Sequence, residues 1–428
     1  MKHKFTFFLM LIFASANSYA QNEIWETQLN AHNITYLDRI YFLDENYGWT
    51  IWGCYFFTSD GGENWYLDPS CLSSNHSGSD IVFINQDTGF IAGGNGTIHK
   101  TTNGGLSWMP IQTPATQNVI KLFFVDEYNG WATLGQYSEG NILHTSDGGN
   151  TWEIIEIQID GIQSIFFIDN NIGWLIGWLG PPIGKGVILK TTNAGEDFEI
   201  QYTADFYNYF EGLFFISEQI GWAVGYKNSM DYLVLHTENG GATWTEQTLP
   251  DNHYGTPTQA NCVYFADDTT GWIGTSGPGG GAIYFTNDGG QNWHVQQLFS
   301  QAVFDIQMLN RDTGWAVGSG FVYHTTNGSL ITNVIENQAT EKQFKITPNP
   351  VTNTFHIETN SAISCENCQL EITNITGNSI LRLSSISFEA ITSKSIDLSN
   401  YPAGIYFVTI RYESNHQIKC FNQKIIRL

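Results

Sequence analysis

Three carboxylates recur at one place in a repeated turn. Asp60, Asp147 and Asp288 each follow a Thr by two residues and precede a pair of glycines, as in Thr145-Ser146-Asp147-Gly148-Gly149-Asn150-Thr151-Trp152. A carboxylate on a turn has the chemistry of a cation ligand or a general base. The same place holds Asn103, Asn193, Asn239 and Asn327 in the other copies. Neutral Asn is a poor substitute for either role. What all seven share is an oxygen acceptor beside a flexible backbone, which is the chemistry of a tight turn. An Asp or Asn side chain bonds amides two residues on, and a residue with positive φ closes the turn. Ala194 replaces the first glycine once, so the second, Gly195, is expected to hold the left-handed position. An aromatic follows in six copies: Trp65, Trp108, Trp152, Phe198, Trp244 and Trp293. A buried Trp removes some 150–250 Å² from water, about 4–6 kcal/mol.

Other reactive residues form no constellation. His144, His236 and His324 each precede the Thr of a turn, where other copies have Phe57, Lys100, Lys190 or Phe285. A position that accepts Phe, Lys and His is a strand surface, not a ligand shell. No nucleophile elbow, zinc helix or phosphate-binding glycine loop occurs. Cys54 and Cys71 lie near one turn and are a candidate disulfide; Cys262 has no obvious partner. Cys365, Cys368 and Cys420 come late in the chain, and Cys365 pairs with Cys368 or one of them with Cys420. No cofactor and no metal are expected.

The turns need strands to hold them. Each is preceded by an apolar run, a polar turn and Gly-aromatic, as in Leu122-Phe123-Phe124-Val125…Gly130-Trp131. These glycines fall at 48, 89, 130, 173, 221, 271 and 314, spacings of 41, 41, 43, 48, 50 and 43. A period of 40–50 residues with four short strands is the mark of a propeller blade. The reading is all-β: a seven-bladed β-propeller over 21–333. Its strand a is apolar and innermost, b opens with Gly-Trp, c ends in Thr and d follows the turn. Residues 22–29, with Ile24-Trp25-Glu26, look like a strand d without its own turn, while the seventh turn lacks its Trp. Residues 22–29 are therefore expected to close blade 7 and remove an open edge.

The Thr-x-Asp-Gly-Gly-x-x-Trp unit resembles the Asp-box (BNR-like repeat) of sialidase and sortilin propellers. Together with Gly221-Trp222-Ala223-Val224-Gly225 and Gly314-Trp315-Ala316-Val317-Gly318, it resembles the photosystem II stability and assembly factor family. That resemblance implies the propeller fold and a scaffold role in protein assembly. Sialidase chemistry clamps a carboxylate with three Arg. The ring has only Arg39 and Arg311, so the clamp cannot be built.

The two ends read differently from the ring. Residues 1–20 have Lys2 and Lys4, an apolar Phe5–Phe13 core and Ser18-Tyr19-Ala20, the pattern of a secretory signal peptide cleaved before Gln21. No run is long enough to span a membrane as a helix. Residues 334–343 read as a linker. Residues 344–428 lack Trp and alternate in short strands, Thr354-Phe355-His356-Ile357 and Ile405-Tyr406-Phe407-Val408 among them. That suggests a small C-terminal β-sandwich. The segment resembles the C-terminal sorting domain of the type nine (Por) secretion system of Bacteroidetes. The resemblance implies delivery through the periplasm to the cell surface or medium, with the secretion machinery as a partner.

Charge narrows the ligands. From Glu336 onward eight basic and eight acidic residues cancel, which leaves seven basic and 33 acidic residues for the ring, net −26. Such a ring repels nucleic acid and anionic membranes. It suits cations, neutral glycans or basic proteins, or serves solubility alone. Insertions stretch the b–c and d–a connections of blades 4–6, which share one rim. They carry Trp178, Tyr202, Asp205, Phe206, Tyr207, Tyr209, Tyr226, Asp231, Tyr232, Asp251 and Tyr254. These are the candidate ligand-binding residues, unless several only cap the core beneath long loops. The expected function is an exported, non-catalytic module that binds a glycan or a protein. A carbohydrate-active enzyme other than a sialidase and an assembly scaffold are the alternatives.

Overall fold

The computed structural model describes residues 24–30, 37–52, 54–67, 79–135, 140–180, 184–228, 231–250, 259–330, 344–347, 351–359, 368–374, 379–386, 395–414 and 417–427. The chain forms two compact units, Met1–Ile331 and Thr332–Leu428. Among the described residues the first holds seven four-stranded antiparallel sheets, six of them in plain a-b-c-d order. The seventh takes its outer strand from the other end of the ring. Glu26–Asn30 pairs with Phe321–Thr325, beside Gly314–Gly318 and Val303–Met308. The protein is a seven-bladed propeller followed by a small β-sandwich.

The repeat is legible in the packing. Strand a of each blade ends on a large apolar residue, and strand b begins on a glycine directly opposite, as Phe215 faces Gly221. The ring of that residue lies flat on the glycine. A Cβ built on Gly221 would stand 2.3 Å from a Phe215 ring carbon, and the same holds at Gly48, Gly89, Gly130, Gly173 and Gly271. Its other face receives the strand-b aromatic of the preceding blade. The centroids are 3.5 Å apart for Phe42–Trp315, 3.6 Å for Trp49–Phe83, 4.6 Å for Phe90–Phe124 and 3.6 Å for Trp131–Phe167. They are 3.7 Å apart for Trp174–Phe215 and 3.4 Å for Trp222–Phe265. Between blades 6 and 7, Trp272 shares its core with Met308. The turn aromatic of the same blade then meets the ring edge-on, as Trp244 meets Phe215 at 6.0 Å and 85°. The edge-on contact suits the aromatic quadrupole, whereas the close parallel stack gains from buried apolar area.

The second unit has its own core. A three-stranded sheet contains Phe344–Thr347, Thr354–Thr359 and Ile396–Asp397. A four-stranded sheet contains Ser379–Ile386, Cys368–Asn374, Gly404–Ser414 and Gln417–Arg427. Phe355, Ile357, Leu370, Ile372, Val408 and Ile410 are buried together.

The glycine seat gives a direct test. Gly221→Ala is expected to destabilise the propeller by about 1–3 kcal/mol, the cost of overpacking a filled site. A urea-denaturation midpoint equal to that of the native chain would refute the seating of Phe215.

Candidate functional site

The turn carboxylates spend their hydrogen bonds on their own turns. Thr58 Oγ1 donates to Asp60 Oδ1 at 2.8 Å and accepts the Gly62 amide at 2.8 Å. Asp60 Oδ1 also accepts the Asn64 amide, four residues on rather than two. The pattern repeats at Asn103, Asp147, Asn193, Asn239 and Asp288. At Asn327 the amide bonds Thr325 Oγ1. Both glycine positions are left-handed, not the second alone: Ala194 has φ 60° and Gly195 φ 90°. Ala is tolerated at a cost of about 1 kcal/mol. The carbonyl at the first position is then the acceptor that ties blades together. Trp131 Nε1 donates to Ala194 O at 2.8 Å, and Trp174 Nε1 to Gly240 O at 3.0 Å. Trp315 Nε1 reaches Gly61 O. Where Phe90 replaces the indole, Lys100 Nζ takes Gly148 O at 2.7 Å. His144, His236 and His324 stack on Trp131, Trp222 and Trp315 of their own blades, and burial pulls their pKa below the ordinary value.

The ring's two arginines are placed in different settings. Arg311 sits on the a–b turn of blade 7, where Nε donates to Asp267 Oδ2 at 2.5 Å. Burial of the Asp267 carboxyl works to raise its pKa. Hydrogen bonds from Thr269, Arg311 and the Thr270 amide outweigh that and hold it at about 2. Arg39 instead begins strand a of blade 1.

Strands a line the axis, and their polar residues were not singled out from the sequence. The inner edge of strand a has no neighbouring strand, so its amides need other acceptors. Asp305 Oδ2 accepts the Ile40 amide at 3.1 Å, and Asp80 Oδ2 the Leu122 amide at 2.8 Å. Gln307 takes both the amide and the carbonyl of Phe42. Arg39 and Lys121 stand among these carboxylates, with Arg39 Nε 3.9 Å from Asp80 Oδ1. Glu211 accepts from Gln163 at 2.6 Å and Gln259 at 2.7 Å. Burial raises the pKa of Asp305, Asp38 and Glu211, and lowers that of Lys121. The signal in the sequence was a charged residue at one position of four apolar runs, at Arg39, Asp80, Lys121 and Asp305. It was hidden because the equivalent positions in blades 4–6 are Ser164, Gly212 and Cys262. Cys262 is a buried free thiol. The Cys54 side chain and all of Cys71 lie outside the described residues.

Among the described residues, the candidate rim from blade 4 into blade 5 is built from strands where long loops were expected. In blade 4 strand b runs Gly173–Leu179, c Lys185–Thr191 and d Glu199–Phe206. Strand a of blade 5 is Asn208–Phe215, so the d–a connection is the single residue Tyr207. Blade 5 continues with Gly221–Lys227 and Asp231–Thr237. Strands of seven or eight residues here compare with three to five for a, b and c of blade 2, so the rim rises over blades 4 and 5. Pairing wins over looping because apolar residues alternate through Ile200, Tyr202, Ala204 and Phe206, facing strand c up to Lys185.

The rim residues divide into two sets. Trp178 lies over Gly161, and Tyr202 packs edge-on against Phe210. Tyr209 packs on Tyr226 and accepts the Gly184 amide at its hydroxyl. Tyr232 bonds the Tyr284 hydroxyl at 3.1 Å and packs against its ring. These five half-buried aromatics cap the core. Asp205, Phe206, Tyr207 and Asp231 are exposed, Phe206 by 56% and Tyr207 by 49%. Lys185 Nζ lies 4.2 Å from the Phe206 ring centroid. Asp251 and Tyr254 lie outside the described residues.

Two family models match the chain. One, described as photosynthesis system II assembly factor YCF48, covers residues 71–160 and 160–314. The chain belongs to the YCF48 assembly-factor family. The other, a secretion system C-terminal sorting domain, covers residues 345–426. The photosystem II assembly lipoprotein Ycf48 of Synechococcus sp. (strain CC9902) is 28% identical over 136 residues. That match spans 29% of this chain and only 36% of the relative. Among solved structures, YCF48 bound to D1 peptide superposes with a TM-score of 0.58 at 17% identity, over 72% of this chain and 96% of that one. YCF48 from Cyanidioschyzon merolae gives 0.56 at 17% identity, over 72% and 100%. A GH74 xyloglucanase from Xanthomonas campestris gives 0.54 at 11% identity, over 93% and 67%, a likeness of fold alone. No helix among the described residues is long and apolar enough to cross a membrane.

Asp267 sets an acid-stability prediction. Its folded pKa of about 2 lies below the ordinary value. Its contribution is therefore complete above pH about 4 and is lost as pH falls to about 2, on the order of 1 kcal/mol after solvent screening. Asp267→Asn is expected to lack that share of the decline in acid titrations of stability. Parallel curves for both proteins would refute it.

Proposed function

We propose that this YCF48-family propeller is an exported, non-catalytic docking module. It takes a polypeptide segment on the rim over blades 4 and 5 and serves assembly rather than turnover. One observation carries the reading: where blade 4 joins blade 5, two adjacent aromatics, Phe206 and Tyr207, are held out to solvent by paired strands. Large aromatic surface on a rigid edge is the usual anchor of a protein interface. The family match supports an assembly role, and a solved relative of the same fold is described as bound to a peptide. The turn carboxylates and the axial Asp80, Asp305 and Glu211 already accept hydrogen bonds within the ring.

A carbohydrate ligand is the competing reading. The xyloglucanase likeness is one of fold, while aromatic faces and carboxylates also suit sugars. Full-length protein should be screened side by side on a random-sequence peptide array and a plant and bacterial polysaccharide array. Retention of peptides, abolished by Phe206→Ala with Tyr207→Ala at an unchanged melting temperature, is expected. Release of reducing ends from any polysaccharide would overturn the non-catalytic reading.

The tail serves delivery in this proposal. Removing residues 344–428 is expected to leave a folded propeller retained in the periplasm. Normal appearance of the truncated chain at the surface or in the medium would count against a sorting role.

A further inference from the structure

The turn that joins blades 4 and 5 is built against its own backbone preference. Tyr207 has a φ of 67°, a region that bulky L-residues avoid. At the six complete Asp-box turns the same demand is met by glycine at every left-handed position except Ala194. At the neighbouring hairpin it is met by Asn228, φ 50°, a residue type suited to it. Tyr207 is therefore not the backbone's choice.

Nor does its side chain make a hydrogen bond among the described residues. The residue is half exposed, and among the described residues no ring or cation lies against it. Its backbone provides the structural contacts: its amide donates to Gly184 O at 3.2 Å, and its carbonyl accepts from Asn228 at 3.0 Å. A glycine would keep both. Backbone strain retained at an exposed position points to use of the side chain.

The surroundings indicate what the ring takes. The adjacent Phe206 already carries the Lys185 ammonium on its face. Exposed Asp205 precedes Tyr207 by two residues. Exposed Asp231 stands in the same row, paired with Lys227, which pairs in turn with Asn208. Lys227 is itself tied to Glu246. The ring as a whole carries 33 acidic against seven basic residues. An exposed aromatic face on an acidic body attracts a cation.

We propose that Tyr207 presents its ring to a lysine or arginine side chain of a basic, extended polypeptide segment drawn to this acidic ring. This rests on the polypeptide-docking reading and names the chemistry of its partner.

The test uses the full chain and three fluorescein-labelled nonapeptides, alternating Arg-Ser, Glu-Ser and Tyr-Ser, at physiological salt. The native protein is expected to bind the Arg-Ser peptide. Tyr207→Gly leaves the net charge unchanged, so general attraction to the acidic ring is held constant. That variant is expected to bind about tenfold more weakly with an equal or higher melting temperature, while Tyr207→Phe binds as the native chain does. Equal binding by Tyr207→Gly would overturn the proposal, and so would a lowered melting temperature, which would make Tyr207 structural. Retention of Tyr-Ser or Glu-Ser peptides without Arg-Ser would remove the cation platform and leave polypeptide docking standing. Binding to polysaccharide alone would remove both.

Discussion

The stack of one blade's strand-b aromatic on the next blade's strand-a ring is the contact on which this propeller depends. It needs three things at once. The strand-a residue must be large and flat, the opposite residue must lack a Cβ, and the preceding blade must supply an indole or phenyl group. Phe215 shows all three: Gly221 beneath it, Trp174 above it at 3.7 Å, and Trp244 against its edge. Because the contact runs between blades, no blade can complete its core alone. The ring closes only when Trp315 of blade 7 reaches Phe42 of blade 1.

The Asp-box follows from the same constraint. Its Thr and Asp or Asn fix a turn whose carbonyl faces the neighbouring indole, so Trp174 Nε1 is satisfied at Gly240 O. A buried N–H left without a partner costs about 1–3 kcal/mol; the turn removes that penalty at Trp131, Trp174, Trp272 and Trp315, while Trp49 Nε1 and Trp222 Nε1 stay without a hydrogen-bond partner among the described residues. The blade-2 exception fits the same logic. Phe90 has no N–H, and the Gly148 carbonyl is taken by Lys100, whose ammonium lies over the Phe90 ring. These turns therefore belong to the architecture.

On the candidate rim, stability and exposure are divided between neighbouring residues. Tyr202, Tyr209, Tyr226 and Tyr232 extend the core upward and give blades 4 and 5 their height. Phe206 and Tyr207 use that height to stand clear of it. At the axis the division is different: Asp80 and Asp305 replace the strand that the innermost edge lacks, and Arg39 and Lys121 offset their charge. Arg39 of blade 1 and Lys121 of blade 3 alternate with Asp305 of blade 7 and Asp80 of blade 2, as expected of counter-ions.

The chain's own residues determined the blade count, the order of strands and the export signature, because each is written locally and repeated. A Gly-Trp step or a Thr-x-Asp-Gly-Gly turn acts over a few residues and needs no distant partner to be recognised. The left-handed state of Ala194 was missed because a single substitution was taken as a backbone preference, whereas a neighbouring blade holds that carbonyl in place. The rim residues were legible as aromatic and acidic. Which of them are exposed was not, since Tyr232 and Phe206 look alike in sequence. Only the tertiary structure places Tyr284 beside Tyr232 and leaves Phe206 open but for Lys185. The axial charges were hidden because only four blades carry them, at Arg39, Asp80, Lys121 and Asp305, and their contacts run between blades, which nothing in any one blade records.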